Sequence, residues 1–307
     1  MSSSIYSSKI LLFGEYSIIL NSFGFAIPYP LYKGRLKLNA SNNDKDSHKK
    51  ILEFTEYLKI KAKYLPRLDW LKINKDITNS LFFKSNIPQG YGLGSSGALV
   101  AAFYNRYAQK KISPNEKLTK NALQKLKNTF SEMESHFHGE SSGIDPLNCY
   151  LGLPILIKSQ NEIQITKMPE EKVLGCGGIF ILDSGNSSDT SSMVSLFFKK
   201  MEDKNFNYMM KNQFIKYSKT CINEFLKGNI NSMFNSIKIL SEITLKNFQP
   251  MIPNKFTKLW DEGIRTDNYF FKLCGSGGGG FLLGFTLDLE RTFENLKDYK
   301  KEIIYKF

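Results

Sequence analysis

Cysteine is scarce in this sequence, and the few cysteines form no pattern. Four occur in 307 residues, far apart and without a Cys-x-x-Cys pair. Metal-ligand spacing is absent, and so is a dense disulfide pattern. We therefore expect the four thiols to be reduced and structural.

Long apolar runs are also missing. No stretch approaches the ~20 residues that span a bilayer. The N-terminal segment has one lysine before its apolar part, and Gly14 and Glu15 interrupt that part, which is atypical of a secretory signal. The sequence thus predicts a cytoplasmic protein without membrane association.

Acidic residues are outnumbered by basic ones, 29 to 42, and the net charge is +13. Such a balance can indicate nucleic-acid binding. Here, however, the lysines are spread along the whole chain and form no compact arginine-rich block. We therefore expect no nucleic-acid partner, whereas a small polyanionic substrate fits the charge equally well. An apolar content of 41% is typical of a globular protein.

The periodicity of the apolar residues predicts an α+β chain. The predicted strands cover residues 9–13, 16–20, 31–40, 71–77, 80–87, 176–185 and the two flanks of the glycine run at 275–280. The predicted helices cover residues 51–65, 95–110, 190–227 (with a break) and 229–246, and a further helix starts at Ser113. The pattern loosens near 165–173, so we place one domain at 1–172 and a second at 173–307, in keeping with the chain length.

The helix that starts at Ser113 is predicted from its capping residues. Ser113 can be the N-cap, Pro114 the first helical residue and Glu116 the capping-box partner. Apolar residues then recur at helical spacing. They are Leu126, Phe130, Met133 and Phe137.

The segment PQGYGLGSSGA, residues 88–98, places four glycines and two serines directly before an apolar helical run. It contains G-x-G-x-x-G, but Pro88 and Gly90 interrupt the preceding strand. No acidic residue ends a strand ~20 residues later, as a dinucleotide site requires. The sequence contains no Gly-Lys dipeptide and no His-Arg-Asp, which excludes a Walker A loop and a protein-kinase catalytic loop.

A phosphate site still agrees with the physics of this segment. Glycines allow backbone N–H groups to converge on an anion, and the following helix directs its positive end to the same point. Ser95 and Ser96 add hydroxyl groups. The alternative, a structural turn before a helix, stays open on this segment alone.

Three segments, in this order, resemble the GHMP kinases. KILLFGEYSII, residues 9–19, resembles K-x-x-L-x-G-E-H-x-V-V. PQGYGLGSSGA resembles P-x-x-x-G-L-G-S-S-A-A, and KLCGSGGGG, residues 272–280, resembles K-x-T-G-A-G-G-G-G. The segments run through almost the full length of the chain, which makes a chance match improbable.

Within that family the sequence is most similar to mevalonate kinase. Galactokinases have an Arg and an Asp around Gly14, and diphosphomevalonate decarboxylases have K-Y-W-G-K; both are missing here. The stretch EMESHFHGESSGID, residues 132–145, resembles E-x-x-x-H-G-x-P-S-G-x-D. Four positions depart from the family patterns: Tyr16 replaces His, Gly97 replaces Ala, Ser141 replaces Pro and Ser276 replaces Ala.

The resemblance implies roles for individual residues. Asp145 would be the catalytic base, with Lys9 beside it to keep it ionised and to offset phosphoryl charge. Ser96 and Glu134 would hold Mg²⁺. The implied nucleotide-binding residues are Pro88, Gly90, Gly92, Leu93, Gly94, Ser95 and Ser96. The implied substrate-binding residues are Glu15, Tyr16, His138 and Asp145, although a packed structural role is equally open for His138.

The implied fold has a mixed α/β N-terminal domain and a ferredoxin-like C-terminal domain, with the active site between them. The implied reaction transfers a phosphoryl group from ATP to (R)-mevalonate, early in isoprenoid synthesis. Phosphomevalonate kinase, another GHMP small-molecule kinase and a non-catalytic GHMP-fold ligand-binding protein remain alternatives. The oligomeric state, including a homodimer, is left open by the sequence.

Overall fold

The structure is a computed structural model that describes residues 4–172 and 174–307. Its N-terminal half contains five strands: β1 (Tyr6–Phe13), β2 (Gly24–Lys37), β3 (Phe82–Ser85), β4 (Ile155–Ser159) and β5 (Glu162–Ile165). Five α-helices accompany them: α1 (Lys45–Ile60), α2 (Trp70–Thr78), α3 (Ser95–Tyr107), α4 (Lys120–His138) and α5 (Ile144–Leu151). All pairings in this sheet are antiparallel.

Strand β2 organises the N-terminal sheet, because it pairs along its length with β1 and at its two ends with other strands. Residues Gly24–Ala26 pair with β4, and residues Gly34–Lys37 pair with β3. Helices α3 and α5 pack against each other and against β1 and β2. Helix α3 is buried along most of its length, which is why its sequence is apolar on nearly every face.

The C-terminal half is built on four strands: β6 (Gly178–Asp183), β7 (Phe270–Leu273), β8 (Phe281–Thr286) and β9 (Lys301–Lys306). Its helices are α6 (Thr190–Met201), α7 (Lys204–Met209), α8 (Ile215–Leu226), α9 (Ile230–Asn247), α10 (Thr257–Arg265) and α11 (Leu289–Asn295). The strand order is β7-β8-β6-β9, antiparallel throughout. This order, with helices after β6 and β8, is the ferredoxin-like arrangement, as expected.

Several expected elements are confirmed. The break in the helical region 190–227 falls between α6 and α7, and one π-helical stretch, Met210–Phe214, joins α7 to α8. The glycine run at 275–280 joins β7 to β8. The boundary proposed between residues 172 and 173 stays a prediction, and Val173 lies outside the described residues, as do residues 1–3.

The strand expected at 16–20 is wrong, because these residues form a turn. Gly14 and Tyr16 have φ angles of 110° and 60°, so the chain reverses before its β-branched residues can join a sheet. The Ile18 N–H donates to the Gly14 carbonyl at 3.1 Å. The turn connects β1 to β2.

The strand expected at 71–77 is also wrong, because this segment is helix α2. The carboxylate of Asp69 caps it by accepting a hydrogen bond from the Lys72 N–H at 3.0 Å. Trp70, Ile73 and Ile77 lie on the face turned to the core. Leucine and isoleucine alternate with polar residues here as in a strand, but the residues that contact the core follow the spacing of a helix.

The helix expected to start at Ser113 begins later, at Lys120. The Ser113 hydroxyl accepts a hydrogen bond from the Asn115 N–H instead, in a local turn. Thr119 is the N-cap, and its hydroxyl accepts from the Ala122 N–H at 3.2 Å. The four expected apolar positions do lie on α4.

All four cysteines are free, three of them buried and Cys176 exposed. Of the helices in the two described ranges, none combines the length and apolar character needed to cross a membrane.

Candidate active site

The glycine loop at 88–94 leads into α3 through a left-handed turn at Gly94, with φ of 72°. A Cβ atom at Gly94 would lie 2.9 Å from Cγ of Lys9, so only glycine fits against this side chain. The backbone N–H of Lys9 donates to the Leu93 carbonyl at 3.0 Å. This hydrogen bond attaches the loop to β1. The first backbone N–H groups of α3, which have no partner within the helix, therefore lie beside Lys9.

The seven residues expected to bind nucleotide form this loop and the start of α3. Five lie in the loop, and Ser95 and Ser96 are the first two residues of the helix. A helix N-terminus preceded by glycines concentrates backbone donors and a positive potential at one point. The arrangement is suited to phosphate oxygens.

Lys9 and Asp145 form an ion pair at the start of α3. Lys9 Nζ lies 3.0 Å from Asp145 Oδ1. The Lys9 side chain is only 5% exposed, whereas that of Asp145 is 35% exposed, so the carboxylate is the member that a substrate can reach. Asp145 lies in the first turn of α5, where the helix dipole also favours its negative charge.

The electrostatics of Lys9 are set by opposing effects. Burial lowers the pKa of its ammonium, but the nearby Asp145 carboxylate outweighs burial, and the net pKa is raised above its ordinary value. Lys9 is therefore charged at neutral pH. A buried, permanent cation next to an accessible carboxylate can stabilise negative charge that develops in the cleft.

Glu134 projects from α4 toward the same helix N-terminus. Its carboxyl accepts hydrogen bonds from the hydroxyls of Ser96 at 2.9 Å and Ser141 at 2.5 Å. It is 3% exposed. Burial, and then the charge of Asp145, raise the pKa of Glu134 to about 8.

The oxygen atoms of Ser96 and Glu134 are suitable ligands for Mg²⁺. This ion prefers hard oxygen ligands and usually keeps several waters, so one hydroxyl and one carboxylate are sufficient from the protein. Within the described ranges no group of three or more His, Cys, Asp or Glu side chains could hold a metal. A metal at this point would therefore also use oxygens from water or from a bound phosphate.

His138 contacts Ser96 at the start of α3. Its Nε2 lies 2.9 Å from the Ser96 hydroxyl, and burial lowers its pKa. The neutral ring therefore helps to orient Ser96. A role in substrate binding stays a prediction.

Glu15 and Tyr16 direct their polar atoms to the C-terminal half. Glu15 forms a buried ion pair with Lys272 of β7, although its Oε2 atom lacks a hydrogen-bond partner. The Tyr16 hydroxyl donates to the Ser276 carbonyl at 2.5 Å. Both residues lie between the two halves, and their contact with a substrate stays a prediction.

The C-terminal glycine loop, residues 275–280, packs on the glycine loop at 88–94, as expected. Because of its predicted role, the loop at 88–94 is called the phosphate loop below. A Cβ atom at Gly275 would lie 3.3 Å from Gly92 Cα, and one at Gly280 would lie 2.5 Å from Tyr91 Cα. The Ser188 N–H donates to the Gly90 carbonyl at 3.1 Å, and its hydroxyl donates to Gly277. The two glycine loops thus face each other at the cleft.

Two residues in this site were not predicted from the sequence. Ser141, which occupies the position of a family proline, bonds to Glu134. Lys272 is the first residue of the KLCGSGGGG motif. Its place in that motif was the one sign in the sequence that Lys272 belongs to the site. The pairing of Lys272 with Glu15 joins residues 257 positions apart, which no local pattern could show.

Residues 52–152 match the family model of the GHMP kinases N terminal domain. Over this third of the chain the sequence is similar to the GHMP kinase N-terminal domain. The matched range includes the phosphate loop, Glu134 and Asp145. A comparison with curated protein sequences gives no match.

Solved structures extend the similarity to the whole fold. Mevalonate kinase from L. major, in complex with R-mevalonate, is 15% identical, with 100% of this chain and 96% of that chain covered and a TM-score of 0.65. Phosphomevalonate kinase from Streptococcus pneumoniae, with phosphomevalonate and AMPPNP, is 14% identical over 99% and 100%, with a TM-score of 0.63.

A third solved structure is galactokinase from Lactococcus lactis, complexed with galactose. It is 13% identical over 98% of this chain and 92% of that chain, with a TM-score of 0.60. The GHMP kinase fold therefore extends over the full chain. At these identities the similarity shows the fold, and GHMP kinases with different acceptors share it.

Proposed function

We propose that this protein is an ATP-dependent kinase that phosphorylates a small alcohol, and that the alcohol is (R)-mevalonate. The observation that carries the proposal is the Lys9–Asp145 ion pair, held against the phosphate loop at the N-terminus of α3. This arrangement would bring together a phosphate site, the fixed cation of Lys9 and the accessible carboxylate of Asp145. The products would be ADP and 5-phosphomevalonate.

Asp145 would accept the proton of the acceptor hydroxyl. The hydroxyl oxygen forms a bond to the γ-phosphorus of ATP, and the bond from that phosphorus to the β,γ-bridging oxygen breaks, so ADP leaves with the electron pair. Phosphoryl transfer depends mainly on positioning and charge stabilisation. Lys9 supplies fixed positive charge next to the base and the transferred group.

Ser96 and Glu134 would hold Mg²⁺, which offsets the charge of the β- and γ-phosphates when it is bound. Because the pKa of Glu134 is near 8, its carboxyl must release a proton before it can act as a ligand. Ser141 supports the ionised form through its hydrogen bond. The phosphate loop would hold the nucleotide through its backbone N–H groups.

The choice of acceptor rests on the stretch from Glu134 to Asp145, which resembles mevalonate kinase. An ADP-release assay with mevalonate, phosphomevalonate, galactose and homoserine tests it directly. We expect mevalonate to give the highest kcat/KM, with a requirement for Mg²⁺. A tenfold or greater preference for phosphomevalonate would refute the acceptor but retain the kinase, and no turnover with any of them would refute the proposed function.

A further inference from the structure

Tyr16 has a backbone conformation that its surroundings must hold in place. Its φ angle is 60°, in the left-handed region that bulky residues rarely adopt. Residues in such regions persist where neighbouring contacts over-determine them, and they cluster at functional sites. The contacts of the Tyr16 side chain therefore indicate why the conformation is kept.

The ring of Tyr16 is packed between aromatic residues of the C-terminal half. It stacks on Phe197 of α6, with ring centroids 4.5 Å apart and planes at 25°, and lies 5.6 Å from the ring of Phe248. The residue is 4% exposed. Burial, followed by the charge of Glu15, raises the pKa of Tyr16, so its hydroxyl is a neutral donor.

That hydroxyl donates to a backbone carbonyl inside the C-terminal glycine loop, at Ser276. The preceding residue, Gly275, packs on Gly92 of the phosphate loop. The neighbouring residue Glu15 pairs with Lys272 of β7, the strand that leads into the glycine loop. Two consecutive residues of one turn thus bind the glycine loop and the strand directly before it.

We propose that Tyr16 is a positioning residue for the nucleotide site and not a ligand of the acceptor alcohol. Its hydroxyl holds the loop at 275–280 against the phosphate loop, so the phosphate loop keeps the shape that binds the nucleotide. This inference rests on the proposed function only in assigning the nucleotide to that loop. It replaces the expectation that Tyr16 binds the substrate.

The test is Tyr16→Phe, which removes the hydroxyl and keeps the stacked ring. Tyr29→Phe is the matched control, because the Tyr29 hydroxyl also crosses between the halves but donates to Glu302 of β9, at 2.8 Å, and not to a glycine loop. Three quantities are measured: Kd for Mg²⁺-AMPPNP by calorimetry, KM for the acceptor and amide hydrogen exchange at 275–280.

For Tyr16→Phe we expect Kd for the nucleotide analogue to rise about three- to tenfold, as the loss of one hydrogen bond predicts. Exchange at 275–280 should accelerate, and KM for the acceptor should stay within twofold. Tyr29→Phe should lose comparable thermal stability but leave the nucleotide Kd and the exchange at 275–280 unchanged.

A raised acceptor KM with an unchanged nucleotide Kd would make Tyr16 a substrate ligand and overturn the inference. Equal loss of nucleotide affinity in Tyr29→Phe would overturn it too, because the effect would then be a general loss of packing between the halves.

If no alcohol is phosphorylated, the proposed function fails, while the nucleotide Kd and the hydrogen exchange at 275–280 still decide the role of Tyr16. If Tyr16→Phe does not fold, Phe197→Leu removes the stacked ring instead, and unchanged exchange at 275–280 in that variant would contradict the inference.

Discussion

Asp145 would have two roles in the proposed reaction, and one substitution removes both. Its carboxylate pairs with the buried Lys9, and it would also accept the hydroxyl proton. In Asp145→Asn the amide can do neither, so we expect kcat to fall by roughly 10²- to 10⁴-fold, as for loss of a general base. Nucleotide Kd should change by less than about tenfold, because the phosphate loop is untouched. Steady-state kinetics and calorimetry measure both.

Asp76→Asn is the control for that experiment. Asp76 is 6% exposed and lies 2.7 Å from Arg106 Nη2, so it too is the carboxylate of an ion pair, although it is more buried than Asp145. Both variants should lose stability in urea unfolding, because each leaves a cation without its anion. Turnover should fall only in Asp145→Asn, and near-normal turnover there would make Asp145 a structural residue.

Glu134 should make the metal-free protein less stable as the pH rises. Its pKa is about 8 in the folded protein, raised mainly by burial from an ordinary value of 4.5. Between these values the folded protein holds a proton that the unfolded chain releases. The stabilising contribution is therefore complete below pH 4.5 and is lost as the pH rises toward 8, by at most about 1.4 kcal/mol per pH unit.

Glu134→Gln removes this titration and keeps the shape of the side chain. In EDTA, we compare the free energy of unfolding of this variant with that of the wild type. We expect the difference in favour of the variant to be larger at pH 9 than at pH 5. Urea unfolding of both proteins at pH 5, 7 and 9 tests this. A constant difference across the three pH values would show that Glu134 does not titrate between them.

At the scale of elements, the contact between α3 and α5 sets the position of Asp145. The helices pack tightly at Gly97, where a Cβ atom would lie 2.8 Å from both the Asp145 carbonyl carbon and the Pro146 nitrogen. The related family motif has alanine at this position. In this chain the backbone of α5 occupies the space that such a methyl group would need.

Gly97→Ala should therefore destabilise the protein, although alanine is the better helix former by about 1 kcal/mol. We expect a net loss of about 1–3 kcal/mol from overpacking against backbone, together with a lower kcat as α5 carries Asp145 away from Lys9. Urea unfolding and kinetics measure the two effects. A stabilised and fully active variant would show that α5 moves freely at this contact.

At the scale of the whole molecule, one buried ion pair joins the two halves. Lys272 is fully buried and Glu15 is 2% exposed. The Lys272 ammonium also lies 5.6 Å from the centroid of the Phe13 ring. Removing one partner of a buried pair leaves an uncompensated charge, which costs about 3–5 kcal/mol.

Lys272→Met should lower the free energy of unfolding by about that amount. The double variant Glu15→Gln with Lys272→Met should recover part of the loss, because no charge is then left buried. The exposed pair of Lys158 and Glu162 provides the control, and Lys158→Met should cost less than about 1 kcal/mol. If Lys272→Met and Lys158→Met have equal effects in urea unfolding, the buried pair does not stabilise the contact between the halves.

Features that depend on local chemistry could be predicted from the sequence. Glycine spacing indicated the phosphate loop, because only glycine lets backbone N–H groups converge there. Apolar periodicity located α3 and α9. The resemblance of three motifs to the GHMP kinases implied the ferredoxin-like arrangement of the C-terminal half.

Other features depend on contacts between distant parts of the chain and were visible only in the structure. The turn at Gly14–Tyr16 overrode the β-propensity of residues 16–20, and capping by Asp69 made a helix of an alternating segment. The contacts of Tyr16 with Ser276 and of Glu15 with Lys272 join residues that are distant in the chain. Sequence patterns report neighbours within a few residues, whereas burial and charge pairing across the cleft depend on how the two sheets pack.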